Sequence, residues 1–173
     1  MNPLINVALL WLLVGHAAAQ AADNLHFTGA LVQEACTIRP GDEELQIDLG
    51  AMPDKYLYLN QRTRGKPFSL HLENCDPALG NTLEITFSGN ESAALPGLLT
   101  PDAGSQARGI AIGLETPHGQ ALPFNQPASF AVQAGTTQLD FVSYIAAEPD
   151  AVENKNIVRG LFTASGTFAI LYH

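Results

Sequence analysis

The stretch LFTASGTFAILYH (161–173) decides the fold. From Phe162 through Ala164, Gly166, Phe168 and Ile170 to Tyr172, every second residue is apolar or small. A period of two over this length is the pattern of a strand with one buried face. The pattern runs to the last residue of the sequence, so no later segment is at hand to lie beside it. A hydrophobic strand with an uncovered edge exposes unpaired backbone groups as well as apolar side chains. The expectation is a long terminal strand, and the question it raises is what pairs with its open edge.

Similar stripes recur upstream. LHFTGALV (25–32), ELQIDLG (44–50), PFSLHLENC (67–75), TLEITFSG (82–89), RGIAIGLE (108–115), ASFAVQAG (128–135) and TQLDFVSYIAA (137–147) all read as strands. Leu45, Ile47 and Leu49 form one apolar stripe, Leu83, Ile85 and Phe87 another, and Ile110, Ile112 and Leu114 a third. Clusters rich in Gly, Pro, Asn and Asp, such as NCDPALGN (74–81), TPDAGSQARG (100–109) and ETPHGQALPFNQP (115–127), punctuate them as turns. No long helical stripe interrupts the series. Short strands at near-regular spacing predict an all-β, antiparallel sandwich of immunoglobulin-like kind in a single domain.

Composition narrows the function classes. The 173 residues are 46% hydrophobic, enough for an ordinary core, and the formal net charge is -9. A nucleic-acid backbone demands a clustered Lys/Arg footprint, so no nucleic-acid partner is expected. The start MNPLINVALLWLLVGHAAAQAADN carries an apolar run from Leu4 to Val14, followed by small residues. That run is too short to span a bilayer and reads as a secretory signal peptide. Cleavage after Ala19 or after Ala21 fits; the second is preferred, giving a signal at 1–21 and no membrane span in the mature form. The alternative, an uncleaved anchor, is disfavoured by the brevity of the run. Export makes the two cysteines, Cys36 and Cys75, read as one disulfide. Two free buried thiols are the less favoured alternative, and neither cysteine has a second Cys or His at zinc-ligand spacing.

Ahead of Cys36, the odd-numbered Leu25, Phe27, Gly29 and Leu31 form an apolar face, while Asn24, His26 and Thr28 on the other face are polar. With this arm, the paired cysteines and the ending G-x-F-x-A-x-G-x-F-x-I-x-Y-x from Gly160 to His173, the chain resembles the pilin subunits of bacterial chaperone-usher fimbriae. FSLHLENC (68–75), EITFSGNESAALPG (84–97) and RGIAIGLE look closest to minor subunits of P-pilus type, particularly the tip-fibrillum adaptor. The resemblance covers nearly the whole mature chain.

It implies an incomplete immunoglobulin-like β-sandwich, a pilin fold lacking its last strand. Residues 22–34 would be an N-terminal donor-strand extension and 35–173 the pilin domain. In this family a periplasmic pilus chaperone lends a strand to the open groove, and at the outer-membrane usher the arm of a neighbouring pilin subunit replaces it. Carried over, Leu25, Phe27, Gly29 and Leu31 are the donor residues. Phe162, Ala164, Gly166, Phe168, Ile170, Tyr172 and His173 form the acceptor and chaperone-binding strand. The His173 carboxylate is the expected anchor for the chaperone's basic cleft, with Tyr172 at the penultimate aromatic position. The family often has Ala where this chain has Gly166, a replacement expected to be tolerated sterically while loosening the strand. The function implied is that of a structural minor subunit, adaptor or tip-fibrillum, secreted through the periplasm to the cell-surface fimbrium and supporting adhesion.

An enzyme is not expected. His26, His71 and His118 are separated and lack metal-ligand spacing; no metal or cofactor is expected. GDEEL (41–45) lacks the alternating oxygen ligands of a calcium loop, and no nucleophile elbow, phosphate loop or dinucleotide fingerprint occurs. The alternative function is a receptor-binding, lectin-like fimbrial adhesin. Trp11 lies in the signal, leaving Tyr56 and Tyr58 of KYLYLNQR (55–62) as the candidate exposed aromatics, although strand packing accounts for them equally well.

Overall fold

The alternating stripes become strands where each finds a backbone partner. In a computed structural model of the chain, Thr28, Gly29, Leu31 and residues 33–173 are described. The signal at 1–21, the donor residues Leu25 and Phe27, and His26 lie outside the described residues. Thr28, Gly29 and Leu31 are exposed. The compact unit is Gln33–His173.

Within that unit, strands β1 (Thr37–Ile38), β2 (Lys66–Cys75), β3 (Thr82–Ser88), β4 (Ile110–Glu115), β5 (Pro127–Ala131), β6 (Gly135–Ala147) and β7 (Thr167–Tyr172) form two antiparallel sheets. One sheet has the order β1-β2-β6-β4 and the other β5-β3-β7. Register follows the apolar stripes: Phe68 opposes Phe141 and Leu70 opposes Leu139 in the first sheet, while Ile85 opposes Ile170 and Phe87 opposes Phe168 in the second. Each pair puts its side chains on one face, because successive residues of a strand point to opposite sides.

Those inner faces meet at Phe141, which is 1% exposed. Its ring packs against Phe68 at 5.3 Å and edge-on against Phe87 and Phe130 at 5.2 and 5.9 Å. Such edge-to-face contacts add about 0.5–1.5 kcal/mol each beyond the area buried. Cys36 and Cys75 form a disulfide that joins the start of the first sheet to the end of β2. Asn74, with φ of 53°, makes the bulge that separates the Glu73–Thr136 pair from the Cys75–Gly135 pair.

Three readings of the sequence are corrected. The segment 44–50 keeps its alternation, with Leu45, Ile47 and Leu49 half-buried, but among the described residues it belongs to no ladder. The terminal strand is shorter than its pattern, since ladder pairing starts at Thr167 although the alternation begins at Phe162. Tyr56 and Tyr58 lie not on a strand but on helix α1 (Asp54–Asn60), which seats Leu57 against Ile110, Ile145 and Ala147. A second short helix, α2 (Pro149–Glu153), starts with Pro at its first turn, where the missing N–H costs no helical bond.

Candidate functional site

The phase of β7 is set at its end. The His173 amide donates to the Thr82 carbonyl at 2.8 Å, and the Thr82 amide donates back to the His173 carbonyl at 3.4 Å. In an antiparallel ladder such doubly bonded pairs alternate with pairs whose polar groups point away. Leu171, Ala169 and Thr167 therefore face β3 with their backbone groups, and Tyr172, Ile170 and Phe168 direct theirs to the edge that no other described strand covers. These even-numbered residues are also the half-buried ones, while Thr167, Ala169 and Leu171 are exposed. The even residues thus offer a strand partner both hydrogen-bonding groups and an apolar face.

The same register continues upstream without β3. The Asp102 amide donates to the Thr163 carbonyl at 2.8 Å, and the Thr163 amide donates to Ser105 Oγ at 3.0 Å. The amides of Gln106 and Ala107 both donate to the Leu161 carbonyl, and the Ser165 amide donates to Asp102 Oδ1. The loop 102–107 thereby occupies the backbone groups of the odd residues, leaving Phe162 and Ala164 half-buried and facing inward. An open edge of six even-numbered residues, Phe162 to Tyr172, results.

Across from its upstream part runs the extended segment 44–50. Between the two lies an open groove of about 1610 Å³, floored by Phe68, Phe87, Leu99, Ile112 and Phe124. This exceeds the usual volume of a small-molecule site, roughly 300–1,000 Å³. Its shape is a channel between two extended chains, and its floor is the sandwich core itself. Burial pushes the Tyr172 phenol above its ordinary value, with Glu34 adding to the rise, as an inward-facing ring requires.

Gly166 lies where this edge passes close to Ser88 and the groove floor. A Cβ there would meet the Ser88 carbonyl oxygen at 3.0 Å and the Phe124 ring at 3.4 Å. Glycine therefore serves a close approach at this position, and an Ala here would crowd both neighbours.

The structure gathers Phe162, Ala164, Gly166, Phe168, Ile170 and Tyr172 on one edge, with His173 beside Glu84, its Nε2 3.4 Å from Glu84 Oε2. Of the arm residues, Gly29 and Leu31 are exposed. The clamp residues Asp102 and Ser105 were invisible in the sequence, where TPDAGSQARG reads as a turn. Tyr56 is half-buried, and the Tyr58 hydroxyl accepts the Ile157 amide at 3.0 Å. His71 is engaged with Asp42, its Nδ1 2.8 Å from Asp42 Oδ2. Among the described residues no group of three or more His, Cys, Asp or Glu is arranged to hold a metal, and no helix is long and apolar enough to cross a membrane.

Comparison with known proteins agrees with this geometry. The chain is 27% identical to the putative minor fimbrial subunit PmfF of Proteus mirabilis, over 99% of this chain and 98% of that one. It is 29% identical to the fimbrial adapter PapK of Escherichia coli, over 94% and 96% of the two chains. The crystal structure of the P pilus rod subunit PapA superposes with a TM-score of 0.69 at 18% identity, covering 81% of this chain and all of that one. That likeness shows the fold, an immunoglobulin-like pilin sandwich. Residues 25–173 match the family described as Fimbrial protein. The chain belongs to the fimbrial protein family, as a pilin subunit of a surface fimbrium.

Proposed function

We propose that this subunit is a minor one, an adaptor or tip-fibrillum component of a chaperone-usher pilus, assembled by donor-strand complementation and exchange. The observation that carries the reading is the coincidence of apolar or small residues lining a groove from Phe162 to Phe168 with backbone groups turned, as far as Tyr172, to an edge that no other described strand covers. A strand laid there gains ladder hydrogen bonds whatever its sequence, and its alternate side chains fill the floor. Seating three large apolar side chains contributes roughly 5–9 kcal/mol gross, at about 1.5–3 each, before ordering costs.

In this reading a periplasmic chaperone fills the groove first, anchored at the His173 carboxylate. At the outer-membrane usher the arm of the next subunit takes its place. Leu25, Phe27, Gly29 and Leu31 are this chain's own contribution to a neighbour's groove. Head-to-tail pairing of that kind does not close on itself and so builds a filament that supports adhesion. The names of PmfF and PapK, a minor subunit and an adapter, support the minor role.

The test is thermal unfolding of the full chain with and without a peptide that alternates large apolar residues. Marked stabilisation is expected, with self-association of the chain when no strand is supplied. A monomer that is stable alone and indifferent to every such peptide would refute the reading.

A further inference from the structure

The groove has one charged wall. Along the extended segment 44–50, Leu45, Ile47 and Leu49 turn inward, and Glu44, Gln46 and Asp48 are exposed on the outer face. Glu43 lines the same wall. Among the described residues none of these three carboxylates has a cationic partner; Arg159, the one cation lining the groove, is paired with Asp54 at 2.8 Å. The opposite edge presents the neutral Thr163, Ser165 and Thr167 on its outer face; the Asp102 carboxylate that binds Ser165 from the loop side does not line the groove. A strand seated between the two edges has its inward residues on the apolar floor. Its outward residues then lie beside Glu44 and Asp48, at the distance where cross-strand charge pairs act.

Resting on the strand-accepting reading of the groove, we infer that its acidic wall selects the occupant by charge. The natural partner is an extended segment with large apolar residues at alternate positions and Lys or Arg at the intervening, outward ones. A second copy of this chain is a poor occupant. Its own arm, 22–34, contains Asp23 and Glu34 and no Lys or Arg, and its outward positions are Asn24, His26, Thr28 and Ala30. Like charge at both ends of the arm opposes self-pairing, while charge complementarity speeds the encounter with a basic strand. The wall thus favours a different subunit as the neighbour over a run of identical copies.

The experiment compares two labelled peptides on the full chain: the native 22–34 segment and its His26→Lys, Thr28→Lys variant, which share one apolar stripe. Association rates are followed by fluorescence anisotropy at low salt and at about 0.5 M salt, where the screening length falls to a few ångströms. The basic peptide is expected to associate about tenfold faster at low salt, with the advantage vanishing at high salt. It should also vanish in Glu44→Gln/Asp48→Asn, whose replaced side chains are exposed. Equal rates for the two peptides, or an advantage that survives in this neutral variant, overturn the charge selection while leaving the groove reading intact. Failure of both peptides to bind or to raise the melting temperature overturns the groove reading and this inference together.

Discussion

Asp102 holds Ser165 twice, its Oδ1 accepting the Ser165 amide at 3.2 Å and its Oδ2 the Ser165 hydroxyl at 3.0 Å. Among the described residues no neighbouring strand supports the open edge upstream of Thr167, and this side chain with Ser105 stands in for one. Asp102→Ala is expected to cost only about 1 kcal/mol of global stability, the typical net worth of a hydrogen bond. Amide exchange at Thr163 and Ser165 should nevertheless accelerate about tenfold or more, because local opening is decoupled from the core. Donor-peptide affinity should fall in parallel. Exchange measured residue by residue checks this; unchanged rates at both amides would mean the edge is held by the groove floor instead.

The Cys36–Cys75 disulfide closes a loop of 39 residues in sequence separation. In the chain-entropy account such a crosslink is worth roughly 4 kcal/mol, a large share of the 5–15 kcal/mol that holds a typical domain together. Both cysteines are buried in the main core, so Cys36→Ser also leaves hydroxyl and thiol groups in an apolar setting. A sharp drop in periplasmic yield is expected on immunoblotting, and yield equal to the native chain would count against it.

The two phenylalanines Phe141 and Phe168 separate stability from binding. Phe141 sits among three other rings and is almost wholly buried. Its replacement by Ala is expected to cost about 3–5 kcal/mol with or without a donor strand. Phe168 is half-buried on the open edge, its ring 6.4 Å from that of Phe87. Phe168→Ala should cost about half as much in the empty chain and show its larger effect as lost stabilisation by donor peptide. Melting curves of both variants, with and without peptide, distinguish the two roles.

The two sheets were legible because a period of two reports which face of a segment is buried. It does not report what the backbone bonds to. Leu83, Ile85 and Phe87 have both a buried face and ladder partners, so pattern and strand coincide. Leu45, Ile47 and Leu49 have the buried face alone, and Phe162 and Ala164 are held through Thr163 and Ser165 by loop residues 58 and 63 positions away in sequence. The pattern therefore overstated the strands at the very edges that line the groove. Helix α1 escaped for a related reason: Tyr56 and Tyr58 two apart mimic a strand, and seven residues are too few to show a helical stripe. The alternation along the open edge, Phe162 to Tyr172, was readable in the sequence; the clamp, being non-local, was not.

Acid should weaken the first sheet through Asp42. The hydrogen bond from the His71 side chain, with further help from the His71 amide and Arg39 against the cost of burial, holds this carboxyl below its ordinary value of 3.8. A carboxyl depressed in the folded state contributes stability that is fully present above the unfolded value and is lost as pH falls through the folded one. Asp42→Asn is thus expected to be less stable than the native chain at neutral pH, with the gap closing below about pH 4. Denaturant titrations across that range measure it. A gap constant with pH would assign the loss to altered hydrogen bonding and not to charge.

Deleting residues 22–31 tests the division of labour between arm and groove. The open edge from Phe162 to Tyr172 lies wholly within the compact unit Gln33–His173, so it should persist without the arm. On the proposed function, the truncated subunit is expected to co-purify with a periplasmic pilus chaperone and still accept a donor peptide, yet to fail to enter another subunit's groove. Fibres built with it would stop at that position, because a head-to-tail assembly needs both a donor and an acceptor on every internal member. Pull-down with the chaperone and electron microscopy of the fibres read the two activities separately. Loss of both on truncation would mean that the arm is part of the subunit's own fold, and a filament that still extends through the truncated subunit would mean that another segment acts as donor.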